Sequence, residues 1–335
     1  MKNQTVFSLD STEIIDIQKK DNLSVVQLQL KNSQNMNVLS FHEAIKMKCV
    51  EVKEIEDNET VNEVILTNIS LHHILVLDGD LLKGAKQNRV ANTSILIGPM
   101  SKVTIPVSCV ERGRWHYKSN NYENGSCSSF KTSNHIAQKQ IRMQKSFDIY
   151  DKKIKSNSIS NNLNDFKANQ QEVWNVVEHN LTDCKVNSAS EDYFMIYDNN
   201  IAEIEQTSSA FKANDKANGL AYYINGELMG VELFNNSTLY SDYFDKILNS
   251  IAIENKIKVN HSSSNVEISD ADHYNQIQDV LNDIKNNDSK KITISKGVCL
   301  GSEYRKVYED KGRMKSFYQL SYDDNMIHES ILIND

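Results

Sequence analysis

The strongest constraint on the fold is a string of short strand-like segments in the first 120 residues, with little room for helix between them. Leu23–Leu30 has strand length and partial apolar alternation, and further strands are expected at Cys49–Ile55, Thr60–Thr67, His72–Leu77, Val90–Ile97 and Lys102–Val110. His72–Leu77 is almost wholly apolar after its two histidines, which predicts burial on both faces. Turn chemistry follows at Asp78-Gly79-Asp80 and again at Gly98-Pro99. One short helix is expected over Phe41–Met47, capped by Ser40. Closely spaced strands of this kind favour a β-sandwich or barrel-like module over a doubly wound α/β sheet.

The rest of the chain changes character. Ile136, Gln140, Met143 and Phe147 lie at helical spacing, and 156–170 is Asn-rich and reads as a linker. Val173–Leu181 and Tyr193–Ile204 carry apolar stripes of helical period. Leu220–Ile224 and Glu227–Phe234 flank Asn225-Gly226, the strongest short hairpin signal in the sequence. A helix capped by Ser237 and another starting near Ser269 follow, then strands at Lys291–Ser295, Ser302–Val307, Arg313–Ser321 and Met326–Ile333. The expected class is α+β. A β-rich sandwich or barrel-like module (1–155) bears the site and is joined by the linker to an α+β half (171–335) ending in an antiparallel meander. The sequence leaves open whether that half folds alone or against the first.

Composition narrows the function. No apolar run approaches the roughly 18 residues of a membrane-spanning helix, and no h-region follows Lys2, so the expectation is a cytoplasmic protein with no membrane partner. The five cysteines are widely spaced, with no CxxC pair and no zinc spacing, so neither disulfides nor a metal site is expected. The identity of any cofactor is left open by the sequence. The net charge of -8 disfavours a general nucleic-acid binder, but the charge is segregated. Residues 81–155 hold fourteen Lys and Arg against four Asp and Glu, about +10, leaving about -18 for the remainder. A basic region in an acidic chain suits a small anion better than a long one.

The densest polar window lies in that region. After two glycines, Gly79 and Gly84, the chain presents Lys86, Gln87, Asn88 and Arg89 consecutively, then Asn92 and Ser94. An extended chain from Lys86 onward puts Lys86, Asn88, Asn92 and Ser94 on one face. A solvent-facing strand gives the same pattern; the residue types favour a site. A Lys charge, an Arg fork and amides are what phosphate and ribose oxygens need. Lys86 and Arg89 converge only if the Gly84–Arg89 stretch is a loop. At the end of the next strand Glu111 is the candidate general base or ribose acceptor, with Asp78 second, beside Arg114 and the stacking candidate Trp115. Cys109 alternates with Val103, Ile105 and Val107 and reads as a small buried hydrophobe. No nucleophile–base motif is present, so whether the chain is an enzyme is open.

Together Leu77–Asp80, Gly84–Arg89, Asn92–Ser94, Ile105–Glu111 and Gly113–Trp115 resemble the signature of the ARPP family, the ADP-ribosylglycohydrolase- and rhodanese-phosphatase-associated proteins. The C-terminal half is similar too, through the Asn225-Gly226 hairpin and Gly301, Glu303 and Arg305. Asp80 stands where Glu is expected and Arg112 where a neutral residue is usual, which adds charge near the site. The resemblance implies a setting of ADP-ribosyl or NAD-derived metabolism and microbial conflict or antiviral defence, and carries no reaction. The leading expectation is therefore a protein that binds a phosphorylated ribose-bearing small molecule, with processing of that molecule left open. The alternative is a non-catalytic sensor or adaptor with a protein partner from a defence or repair operon. A binder of single-stranded nucleic acid or its ends, stacking on Trp115 and Tyr117, ranks third.

Overall fold

The computed structural model describes residues 7–31, 36–55, 62–114, 169–261, 268–286, 291–310 and 312–334. The expected helix at 136–147, the linker up to 168, Trp115, Tyr117 and the lysines from 118 to 155 lie outside the described residues.

Strands β1 (Thr12–Lys20) and β2 (Leu23–Leu30) open the chain as an antiparallel hairpin. The β-rich region then runs β3 (Val38–Ser40), α1 (Phe41–Lys46), β4 (Val50–Lys53), β5 (Glu63–Asn68), β6 (His73–Val76), β7 (Leu81–Leu82), β8 (Arg89–Ala91), β9 (Ile95–Ile97) and β10 (Ser101–Cys109). Helices α2 (Gln170–Asp183) and α3 (Phe194–Ser208) follow, then β11 (Gly219–Ile224), β12 (Glu227–Phe234), α4 (Ser237–His261) and α5 (Asp270–Asn286). The C-terminal meander is β13 (Lys291–Lys296), β14 (Ser302–Asp310), β15 (Arg313–Tyr322) and β16 (Asn325–Asn334).

Sequence chemistry accounts for most boundaries. The Ser40 hydroxyl accepts from the Glu43 N–H at 3.1 Å and starts α1. Ser269 and Asp272 exchange hydrogen bonds at the start of α5, a reciprocal cap. Asn225 and Gly226 take φ of 52° and 80°, the left-handed pair that a two-residue hairpin needs. The cap of α4 is Asn236, not Ser237. Its Oδ1 accepts from the Leu239 N–H at 2.8 Å, which places the cap one residue earlier than the sequence suggests.

Three sheets result among the described residues. Eight antiparallel strands lie in the order β1-β2-β11-β12-β16-β15-β14-β13, so the N-terminal hairpin belongs to the sheet of the second half. One face packs on α5 through Ile277, Val280, Leu281 and Ile284; the other packs on α4 through Tyr243, Phe244, Ile247 and Ile251. The β-rich region forms a five-stranded sheet, β4-β5-β10-β8-β7, and a three-stranded one, β3-β6-β9, sharing a core with α1. The class is therefore α+β, a strand-rich N-terminal region followed by helices and an antiparallel meander.

The expected strand over 90–97 divides in two. Ala91 pairs with Val107 of β10, whereas Ile95 pairs with Val76 of β6. The chain leaves one sheet and joins the other through Asn92-Thr93-Ser94. The strict face alternation expected from Lys86 to Ser94 is lost at this crossing, and its three polar side chains turn inward, each at most 2% exposed.

Candidate functional site

The β7–β8 loop is built around left-handed backbone at Gly84 and Ala85, with φ of 126° and 44°. The Gly84 N–H donates to Asn88 Oδ1 at 3.0 Å, and the Asn88 N–H donates to Glu111 Oε2 at 3.1 Å. Asn88 Nδ2 reaches Asp192 Oδ2 at 3.0 Å, tying the loop to the α2–α3 connection. Arg114 grips Glu111 with two bonds, Nε to Oε1 at 2.8 Å and Nη2 to Oε2 at 2.6 Å, and donates to the Ala85 carbonyl at 2.8 Å. Gly113 lies tight against the α2–α3 connection: its N–H donates to the Ser190 carbonyl at 2.8 Å, and a Cβ there would stand 2.8 Å from the Ser190 Cα. Gln87 Nε2 donates to the Glu111 carbonyl at 3.0 Å, and Gln87 Oε1 has no hydrogen-bond partner among the described residues although the side chain is buried.

These residues converge: Gln87, Asn88, Glu111, Arg114 and Asp192 form one buried group; Lys86 of the same loop is half-buried, and Lys83, also half-buried, sets its ammonium 5.3 Å from the Phe194 ring centroid. Arg89 is not part of it. Its guanidinium lies against Glu54, with Nη2 at 3.1 and 3.3 Å from the two carboxylate oxygens. Asn92 accepts from the Ser108 hydroxyl at 2.6 Å, inside the same sheet. Arg112 is exposed, 3.5 Å from Glu191 and stacked on Trp174. Cys109 is buried and burial pushes its thiol up, which suits packing and not nucleophilic attack.

A second buried polar group lies where the N-terminal sheets meet β12, β14–β16 and α4. Ser94 Oγ stands 2.9 Å from Asp78 Oδ1 and 3.1 Å from His328 Nδ1, and His328 Nε2 is 2.7 Å from Glu232 Oε2. The Ser94 hydroxyl donates to Asp78, and the two ring nitrogens of His328 link Ser94 to Glu232. Ser94 Oγ also accepts from the Asp78 N–H at 3.0 Å. The hydroxyl is thus held by both the backbone and the side chain of Asp78, with the His328 ring as its third neighbour.

Alongside, Lys246 of α4 contacts the Asp80 carboxylate; burial brings its ammonium down to about 7, with Asp78 pulling it back up. Thr93 donates to Glu303 Oε1 at 3.0 Å, and Arg305 donates to Thr93 at 2.5 Å and stacks on Tyr318. Burial pushes the Glu303 carboxyl up, against the pull of Arg305. Buried charges at this density add little net stability, because desolvation offsets the Coulomb gain.

His328, Glu232 and Lys246 are not evident from local motifs. The available signal is a polar residue inside an apolar strand or helix: Glu232 between Val231 and Leu233, His328 after Ile327, Lys246 before Ile247. Among the described residues no group of three or more His, Cys, Asp or Glu is arranged to hold a metal ion, and no helix is long and apolar enough to cross a membrane.

Both polar groups draw on the same blocks of sequence, Leu77–Asp80, Gly84–Arg89, Asn92–Ser94 and Glu111–Arg114, joined by residues of the C-terminal half. The profile of the ARPP-1 family, the ARG and Rhodanese-Phosphatase-superfamily-associated Protein domain, matches residues 11–332. The chain belongs to this family. The match runs from β1 to β16, so the ARPP-1 domain is the whole described fold and not its β-rich half alone. No curated protein and no solved structure matches the chain. The description of the ARPP-1 family ties the domain to ADP-ribosylglycohydrolase and rhodanese-phosphatase proteins by association.

Proposed function

We propose that this ARPP-1 domain binds, and acts on, a phosphorylated ribose-bearing small molecule of the ADP-ribosyl or NAD-derived class. The observation that carries the reading is Gln87. Its amide nitrogen is committed to the Glu111 carbonyl, which fixes the orientation of the amide and leaves Oε1 as a buried acceptor with no donor. Such a group costs roughly 1–3 kcal/mol while unsatisfied. A ribose hydroxyl or an exocyclic amine of a base supplies what it lacks. Lys86, on the same loop and half-buried, offers the charge for a phosphate, with Lys83 near it.

In this reading Asn88, Glu111 and Arg114 build the loop, because their polar atoms are engaged with one another. Proton chemistry falls instead to Asp78, whose carboxylate stands at the head of the Ser94–His328–Glu232 chain. The family's association with ADP-ribosylglycohydrolases supports the ligand class. Calorimetric titration with ADP-ribose and with NAD tests the proposal. Binding to at least one is expected, weakened tenfold or more by Lys86→Ala and by Gln87→Leu. No heat with either ligand, or affinity untouched by both substitutions, removes it.

The complete pairing of Glu111 and the full burial of Ser94 favour a second reading, a non-catalytic sensor that passes its ligand state to a protein partner. Chromatography of the ligand after incubation separates the two: a product that disappears in Asp78→Asn rejects the sensor.

A further inference from the structure

Four of the six exposed large apolar side chains among the described residues lie at one end of the N-terminal sheets: Met47 at 53%, Ile69 at 57%, Leu71 at 81% and Met100 at 66%. They come from three separate connections, α1–β4, β5–β6 and β9–β10. Backbone bonds pin these together. The Ile69 N–H donates to the Cys49 carbonyl at 2.9 Å and the Met100 N–H to the Ser70 carbonyl at 3.0 Å. Buried Asn68 holds the arrangement from beneath, its Nδ2 donating to the His72 and Gly98 carbonyls at 2.8 Å each and its Oδ1 accepting from Ser70.

Backbone strain accompanies the exposure. Lys48 and Met100 are held at φ of 57° and 47°, left-handed conformations that glycine adopts more easily. A rigid protrusion that keeps non-glycine residues in this region to present apolar side chains to water suits an interface and not a core.

The charges around the tip select the partner. Glu43 is paired with Lys46 at 3.2 Å and Glu51 with Lys53 at 2.8 Å, so these two acids are offset by their own lysines; Asp323 and Asp324 are exposed in the turn after Tyr322, whose ring lies 5.5 Å from that of His73. Lys48 and Lys102 are exposed on its flanks, and no carboxylate among the described residues lies within ion-pair distance of either. Leu71 is the most exposed of the four, at 81%.

We propose that the Met47–Ile69–Leu71–Met100 tip docks on an anionic lipid bilayer, its apolar side chains entering the interface while Lys48 and Lys102 meet the headgroups. This is the physics of a peripheral contact: shallow apolar burial plus local attraction to negative lipid. The chain's overall net charge of -8 opposes general adsorption, so attraction to negative lipid at this face rests on local positive charge such as Lys48 and Lys102. The proposal is independent of the ligand read at Gln87.

Co-sedimentation of the full chain with vesicles of phosphatidylcholine alone, and of phosphatidylcholine with about a third phosphatidylserine, tests it. Binding to the serine-containing vesicles is expected, weaker at high salt. It should fall tenfold or more in Leu71→Glu combined with Met100→Glu, and similarly in Lys48→Glu combined with Lys102→Glu. These positions are exposed, and an unchanged thermal transition confirms that the variants fold. Absence of binding to the anionic vesicles overturns the proposal, as does binding that the variants leave unchanged. A dimer in solution that Leu71→Glu dissociates overturns it in favour of a second copy of the chain.

Discussion

Replacing Glu111 by Ala tests whether this residue is scaffold or reagent. Its carboxylate accepts from Arg114 Nε at 2.8 Å, from Arg114 Nη2 at 2.6 Å and from the Asn88 N–H at 3.1 Å, and Ser190 Oγ lies 3.3 Å away. Both members of the pair are buried, at 2% and 4% exposure. Truncation strands a guanidinium in a low-dielectric interior, and removing one partner of a buried pair costs about 3–5 kcal/mol. The Asn88 N–H loses its acceptor as well, so the upper part of that range is expected. Urea unfolding followed by fluorescence measures it, as the shift in midpoint multiplied by the slope. Glu111→Leu combined with Arg114→Met, which removes both charges at similar volume, should recover most of the loss. A Glu111→Ala variant within about 1 kcal/mol of the wild type would refute the reasoning, since that is the cost expected of a carboxylate with no structural duty.

Other consequences can be measured separately. Lys246 is held at about 7 by burial, below the 10.5 of an ordinary lysine, so the unfolded chain binds more protons between those values. Stability should therefore rise as pH increases from about 7 towards 10, and Lys246→Met should flatten that rise; an unchanged slope contradicts the assignment. Gly301→Ala should destabilise by more than about 2 kcal/mol in thermal unfolding, since the glycine sits at φ +83° and a Cβ there would lie 2.3 Å from the Ser321 carbonyl oxygen. Burial raises the Cys184 thiol to about 11 and raises Cys109 as well, so mass mapping after iodoacetamide treatment of the native protein should find both unmodified, with labelling at half-buried Cys49 and Cys299.

The local rules read well where one residue decides one structural choice. Ser40, the Asn225-Gly226 turn and the Ser269 start of α5 each do so, and each falls where the sequence suggests. They read less well where a long-range partner decides. Nothing in Thr12–Lys20 announces that β1 and β2 join a sheet whose other strands begin 200 residues later, because sheet membership depends on tertiary pairing and not on propensity. The break at Asn92–Ser94 has the same origin: one apolar stretch serves two sheets, and only the partners β10 and β6 show where it divides.

The polar residues follow this division. Gln87, Asn88, Glu111 and Arg114 are clustered in sequence around two strand ends, and they meet in space. Arg89 is adjacent in sequence but points the other way, as strand alternation requires once β8 begins at that residue, and it finds Glu54. His328 and Glu232 reach Ser94 from more than 130 residues away, beyond the reach of any local motif.

The central claim is that the β7–β8 loop, with Gln87 and Lys86, receives a phosphorylated ribose compound. Hydrogen exchange read by mass spectrometry, with and without saturating ADP-ribose, tests it most directly. The account predicts slowed exchange in peptides spanning 77–94 and 108–114, with no change in α5 and the outer strands β13 and β14. Exchange unaltered at 77–94, or protection confined to other parts of the chain, would contradict it.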